Sequence, residues 1–111
     1  MEILNYTPHA ITVVSDTTED GVTEFPSVGV ARVSSTISRV GEHAGILFTR
    51  QSFGEVTGLP PQTKGVWLIV SRLVAAACPN RTDLLVPGNL IRDNEGRVTA
   101  TESLEAINYH F

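Results

Sequence analysis

The sequence predicts a small α+β domain: a mixed, mainly antiparallel sheet with one strand-helix-strand unit and a C-terminal hairpin. Three observations predict it. Short runs rich in Val, Ile, Thr and Phe recur along the chain, punctuated by Gly, Pro and Asp. Residues 65–78 read as an apolar strand followed by a short alanine-rich helix. Asp93-Asn94-Glu95-Gly96 separates two further β-rich runs as a hairpin turn does.

In chain order, residues 3–6 and 10–15 are short strands flanking Thr7-Pro8-His9, where Pro8 imposes a turn or a strand edge. Residues 16–21 end in the hairpin signal Asp20-Gly21, and residues 22–25 form a strand stopped by Pro26. Residues 28–40 alternate apolar and polar side chains, as one long strand or two with a bulge. A turn over 41–45 leads to a strand over 46–53, then to the loop Gly58-Leu59-Pro60-Pro61. Residues 65–70 are apolar throughout, as in a strand buried on both faces. Ser71 caps a helix over 72–78, stopped by Pro79. Residues 83–86 form the next strand, stopped by Pro87-Gly88, and the connection is a minimal parallel crossover or an antiparallel return. Residues 89–92 and 97–101 are the hairpin strands. Leu104, Ile107 and Phe111 fall on one helical face, so residues 102–111 read as a short helix, with an edge strand as the alternative.

The 111 residues suit a single domain, 1–111, with 41% hydrophobic and 18% charged content. The net charge of −4 argues against a nucleic-acid polymer as partner, since backbone binding needs a basic face. The N-terminus lacks a basic, apolar leader, and no apolar run approaches the roughly 20 residues that span a bilayer. The single cysteine, Cys78, fits a reducing compartment; the expectation is a cytoplasmic protein that binds no membrane. No metal or cofactor is expected: His9, His43 and His110 lack ligand spacing, and no cysteine pair exists. Neither a nucleophile elbow nor a phosphate-binding glycine loop occurs.

Arginine usage is the informative bias. Seven of the eight basic residues are Arg32, Arg39, Arg50, Arg72, Arg81, Arg92 and Arg97, against one lysine, Lys64. Guanidinium presents a planar fork that matches phosphate and carboxylate oxygens; arginine-rich codon usage is the competing explanation. The corner at Ser71-Arg72 is the leading candidate for anion binding, because a helix start offers unpaired N–H groups. In a parallel unit the end of the following strand brings Gly88 and Asn89 beside it. Arg81 and Asp83 lie at the opposite end of that strand and can simply pair with each other; Arg92 raises the same question with Asp93. Return of these arginines to one pocket needs a second chain, so a homo-oligomer is expected. His9 with an acid such as Asp83 is a candidate acid–base pair if the fold joins them.

The series Asn5-x-Thr7-Pro8-His9-x-Ile11, Phe53-Gly54-Glu55-Val56-x-Gly58-Leu59-Pro60, Val70-Ser71-Arg72-Leu73-Val74-Ala75, Arg81-Thr82-Asp83-Leu84-x-Val86-Pro87-Gly88 and Arg92-Asp93-x-x-Gly96-Arg97-Val98 spans most of the chain. In this order it resembles a family of small bacteriophage and actinobacterial proteins that has no assigned mechanism. The resemblance, with the small size, implies an analogy to oligomeric phage proteins that sequester signals of bacterial immunity systems such as Thoeris and CBASS. The ligand it implies is a small, anionic, nucleotide-like molecule: a cyclic ADP-ribose type or a cyclic oligonucleotide. The residues expected to bind such a ligand, from the positions discussed above, are His9, Ser71, Arg72, Arg81, Asp83, Gly88, Asn89 and Arg92. Two alternatives stay open: an enzyme degrading such a signal, with His9 as general acid or base, and a structural or protein-interaction phage protein.

Overall fold

The computed structural model describes residues 1–14 and 21–109. The chain is sheet-rich. Its elements are β1 (Glu2–Asn5), β2 (Ile11–Val14), β3 (Val22–Phe25), β4 (Arg32–His43), β5 (Ile46–Thr57), β6 (Val66–Ile69), α1 (Arg72–Ala77), β7 (Leu84–Arg92) and β8 (Val98–Glu105). Six strands form one mixed sheet in the order β1-β6-β7-β8-β2-β3; β4 and β5 form a separate two-stranded ribbon.

The outer strands of the six-stranded sheet meet. Ser27, just past β3, bridges Asn5 in β1, and the Val28 N–H donates to the Asn5 carbonyl at 2.9 Å. The sheet therefore curls toward a small closed barrel. Asn5 fastens the seam. Its side-chain amide donates to the carbonyls of His9 and Phe25, both at 2.8 Å, and its Oδ1 accepts from the Thr7 N–H at 2.9 Å and the Thr7 hydroxyl at 2.6 Å. Asn5 and Thr7 make the Asn-x-Thr-Pro-His motif a polar clasp with a buried centre.

β6, α1 and β7 form a parallel crossover, with Leu68 level with Leu84 and Ile69 with Leu85. The N-cap is Ser71, whose Oγ accepts from the Val74 N–H at 3.2 Å. One face of β6 and β7 carries Leu68, Val70, Leu84 and Val86 against Val74, Ala75 and Ala31. Each such side chain contributes roughly 1.5–3 kcal/mol when fully buried. Val33 and Val56, at the root of the ribbon, pack on the same cluster, so α1 lies between the sheet and the ribbon root.

Beyond that root the ribbon runs out from the body. The radius of gyration is 16.4 Å, against the roughly 13 Å of a compact chain of this length. The tip turns at Ala44 and Gly45, both with positive φ.

Several expectations change. Within the six-stranded sheet three of the five strand pairings are parallel (β1 with β6, β6 with β7, β2 with β8), more than the sequence leads one to expect. The reason is non-local: β1 pairs with a strand some sixty residues later, which no local pattern signals. The break expected at Pro87-Gly88 is absent, because β7 runs through it with Pro87 opposite Leu104. The helix expected over 102–111 is a strand as far as Glu105, since the hairpin register carries on through Thr101 and Leu104. The hairpin itself forms, with the Gly96 N–H donating to the Asp93 carbonyl at 3.0 Å. The long alternating segment is one strand from Arg32, bulged twice in its pairing with β5. The turn expected over 16–21 falls largely on residues 15–20, and the end of the expected helix on 110–111; both lie outside the described residues.

Gly58 is a fixed point. Its φ is +83°, and a Cβ there would stand 2.2 Å from the Val30 carbonyl oxygen. Gly45 has φ +80° but open space around it. Gly58→Ala is expected to cost about 2–3 kcal/mol, from left-handed strain plus a backbone clash, and Gly45→Ala only the strain of about 1–2 kcal/mol. Urea denaturation of the two variants checks the difference.

Candidate functional site

The residues expected to form the site do not gather at one place. Ser71 and Gly88 do reach the same edge of the sheet, as the parallel crossover requires. Their chemistry is spoken for by the fold. Ser71 caps a helix of six residues, and Arg72 reaches the Glu105 carboxylate at 3.2 Å with both side chains exposed. A Cβ on Gly88 would meet the Ser103 hydroxyl at 2.8 Å, so glycine there accommodates the neighbouring strand. Asn89 is exposed, with φ +49°.

Arg81 and Asp83 lie at the other end of β7. The guanidinium forks onto the carboxylate, Nε to Oδ1 at 2.9 Å and Nη2 to Oδ2 at 2.7 Å, and donates to the Pro60 carbonyl at 3.0 Å. Arg81 is 22% exposed and Asp83 5%. The Asp83 hydrogen bond, opposed by burial, holds the Arg81 guanidinium above its ordinary pKa. This pair ties the loop before β6 to the start of β7. Arg92 donates to the Gly96 carbonyl at 2.9 Å within the terminal hairpin. His9 is exposed, and its contribution among the described residues is its carbonyl, held by Asn5 and Thr7. An acid–base pair of His9 with Asp83 does not form: Asp83 is locked to Arg81 at the opposite end of the parallel strands.

A cleft of about 250 Å³ opens where the chain leaves β1, beside the ribbon root and the first turn of α1. Tyr6, Thr7 and Pro8 form one wall, Arg32 and Val33 the second, Ser71 and Leu73 the third, with Ala31 and Val74 beneath. The loop is fixed in place: the Ala31 N–H donates to the Tyr6 carbonyl at 2.9 Å, and the Ser27 hydroxyl to the Thr7 carbonyl at 2.6 Å. The Tyr6 ring lies against Gly29, where a Cβ would come within 2.7 Å of it. Ser71 Oγ accepts from the helix, which leaves its O–H to donate.

Arg32 distinguishes this cleft. Arg39, Arg72, Arg81 and Arg97 each hold a carboxylate, and Arg92 a carbonyl. The guanidinium groups of Arg32 and Arg50 have no hydrogen-bond or ionic partner among the described residues, and of the two Arg32 lines a cleft. Three other hollows differ in kind. One of about 310 Å³, at the barrel mouth, is lined by Met1, Ile3, Trp67, Leu85, Leu104 and Ala106 and offers no polar side chain. One of about 120 Å³ between β2, β7 and β8 offers only threonine hydroxyls. One of about 130 Å³ is lined by Lys64 and by Asp83, whose carboxylate Arg81 already holds; its cation is a lysine, a point charge without the guanidinium fork. Among the described residues no group of three or more His, Cys, Asp or Glu side chains could hold a metal ion, and no helix is long and apolar enough to cross a membrane.

Arg32 belongs to the arginine set that the sequence brings forward, but not to the expected site. A signal for it was present. Arg39, Arg81, Arg92 and Arg97 each have an acid within four residues, whereas Arg32, Arg50 and Arg72 have none. Comparisons with protein-family models, curated proteins and solved structures return no match to the chain.

Proposed function

We propose that the chain is a binding protein for a small, anionic, nucleotide-like ligand, which it sequesters on an α+β scaffold without turning it over. Arg32 carries this reading: it is the arginine that meets a cleft with its fork uncommitted among the described residues. In this reading the guanidinium takes phosphate oxygens in bidentate fashion, the Ser71 hydroxyl adds a donor, and the Tyr6 ring offers a face for a base or sugar. The apolar floor of Ala31, Val33 and Val74 excludes water beneath the charge. A cleft of about 250 Å³ falls short of the roughly 300–1,000 Å³ of a complete small-molecule site. It suits a phosphate with its sugar and leaves the remainder of a nucleotide near the ribbon root. The immune signals of the cyclic ADP-ribose and cyclic oligonucleotide classes have this chemistry, and their capture in the bacterial cytoplasm is the role we assign.

Calorimetric titration with cyclic dinucleotides and cyclic ADP-ribose isomers tests the reading. Arg32→Ala is expected to weaken binding by at least about 10-fold, since a charge-assisted bidentate contact is removed. Arg32→Lys is expected to weaken it too, because a point charge does not reproduce the fork. Arg72→Ala, whose fork rests on Glu105, is expected to change affinity less. Equal losses in Arg32→Ala and Arg72→Ala would move the site to the helix corner.

A further inference from the structure

The ribbon of β4 and β5 is built unlike the rest of the chain. It exposes Ile37 (69%), Val40, Ile46, Leu47, Phe48 (50%) and Phe53. Cross-strand pairing gives this a pattern. Val33 pairs with Val56, Ser35 with Phe53, Ile37 with Gln51 and Glu42 with Leu47, and two bulges absorb the register shifts. Val33, Phe53, Ile37 and Leu47 thus share one face, and the 2.8 Å ion pair of Arg39 with Glu42 lies along it. That face begins as core, where Val33 and Val56 pack on the central cluster, and continues outward with nothing over it. A two-stranded ribbon alone is marginally stable in water.

Its edges are open as well. Each strand has 12 residues, and neither has a second strand partner among the described residues. Exposed edges are ordinarily guarded by lysine or proline. Residues 32–57 contain neither.

We propose that this ribbon is an association arm and that its occupant is a second copy of the chain, the β5 edges of two copies pairing antiparallel about a two-fold axis. A two-fold axis makes an edge its own partner, so one open edge closes the assembly. Charge supports the same arrangement. β5 carries Arg50 and Glu55, neither with an ionic partner among the described residues. Antiparallel self-pairing centred near Phe53 brings Arg50 of each copy close to Glu55 of the other.

Sedimentation equilibrium of the ligand-free protein, together with charge reversal, tests this. The wild type is expected to sediment as a dimer, or a multiple of it, of the 12.0 kDa chain. Arg50→Glu and Glu55→Arg are each expected to weaken association by at least about 10-fold, and the double variant to restore it. Phe53→Asp is expected to give monomers. All three positions are exposed side chains of the ribbon, and circular dichroism verifies that each variant stays folded. A monomeric wild type overturns the proposal. So does an oligomer untouched by Phe53→Asp, or one lost in both single reversals and not recovered in the double. No ligand enters the measurement, so its failure leaves the reading of the cleft standing, and a failed titration leaves the arm standing.

Discussion

Asn5→Ala is expected to lower stability by about 3–5 kcal/mol, the largest effect of any single polar substitution in this chain. Asn5 is 1% exposed and makes four hydrogen bonds, two as donor and two as acceptor. Truncation leaves the Phe25 carbonyl and the Thr7 N–H without those partners in a place water reaches poorly. Each orphaned buried group costs about 1–3 kcal/mol. The loss is concentrated where β1 meets the chain beyond β3, so it loosens the closure of the barrel as well as the turn at Pro8. Asn5→Asp keeps the shape and both acceptor bonds, yet aims a carboxylate at two carbonyl oxygens; it is expected to be as damaging. Thr7→Val removes only hydroxyl contacts and is expected to cost about 1 kcal/mol. Thermal melts monitored by circular dichroism order the three. At about 4 °C per kcal/mol for a domain of this size, the first two should fall by more than about 12 °C. A small shift for Asn5→Ala would mean that the seam contributes little to holding the sheet.

The second large effect is expected at the other end of the sheet. Arg81→Met leaves the Asp83 carboxylate, 5% exposed, without its counter-ion. Breaking such a pair from one side costs about 3–5 kcal/mol, and the partial exposure of Arg81 puts this case near 3 kcal/mol. It also frees the Pro60 carbonyl, which Arg81 holds at 3.0 Å, and with it the loop leading into β6. The double variant Arg81→Met/Asp83→Leu is expected to recover most of the loss, because no buried charge remains to be solvated. Denaturant unfolding of the single and double variants measures the difference. If the double is no better than the single, the pair acts through its geometry at the loop and not through charge compensation.

The sequence made the local features of this fold legible. The cap at Ser71 and the turn at Asp93–Gly96 are each written within a dozen residues, where propensity and capping chemistry act directly, whereas the parallel sense of the connection through residues 65–86 is one of two open readings. The barrel seam was not legible. Asn5 reads as a strand residue and Pro8 as a turn residue, and nothing nearby says that the Asn5 amide reaches Phe25, twenty positions on. The course of β7 through Pro87-Gly88 was hidden for the same reason: only pairing with β8 keeps that stretch extended. For the proposed site, composition points to arginine, but proximity to a helix start favours Arg72 over Arg32. The deciding fact is which guanidinium already has an anion. For Arg72 that anion is Glu105, thirty-three residues away and brought near by the β7–β8 hairpin.

Sequestration by the Arg32 cleft is tested most directly by incubating wild-type protein with each candidate cyclic nucleotide and cyclic ADP-ribose isomer, removing free ligand, denaturing the protein by heat and identifying what is released. The account predicts that at least one of these ligands is retained by the wild type, lost from Arg32→Ala, and released chemically intact. Release of a cleaved product, retention unchanged in Arg32→Ala, or retention of none of them would contradict it.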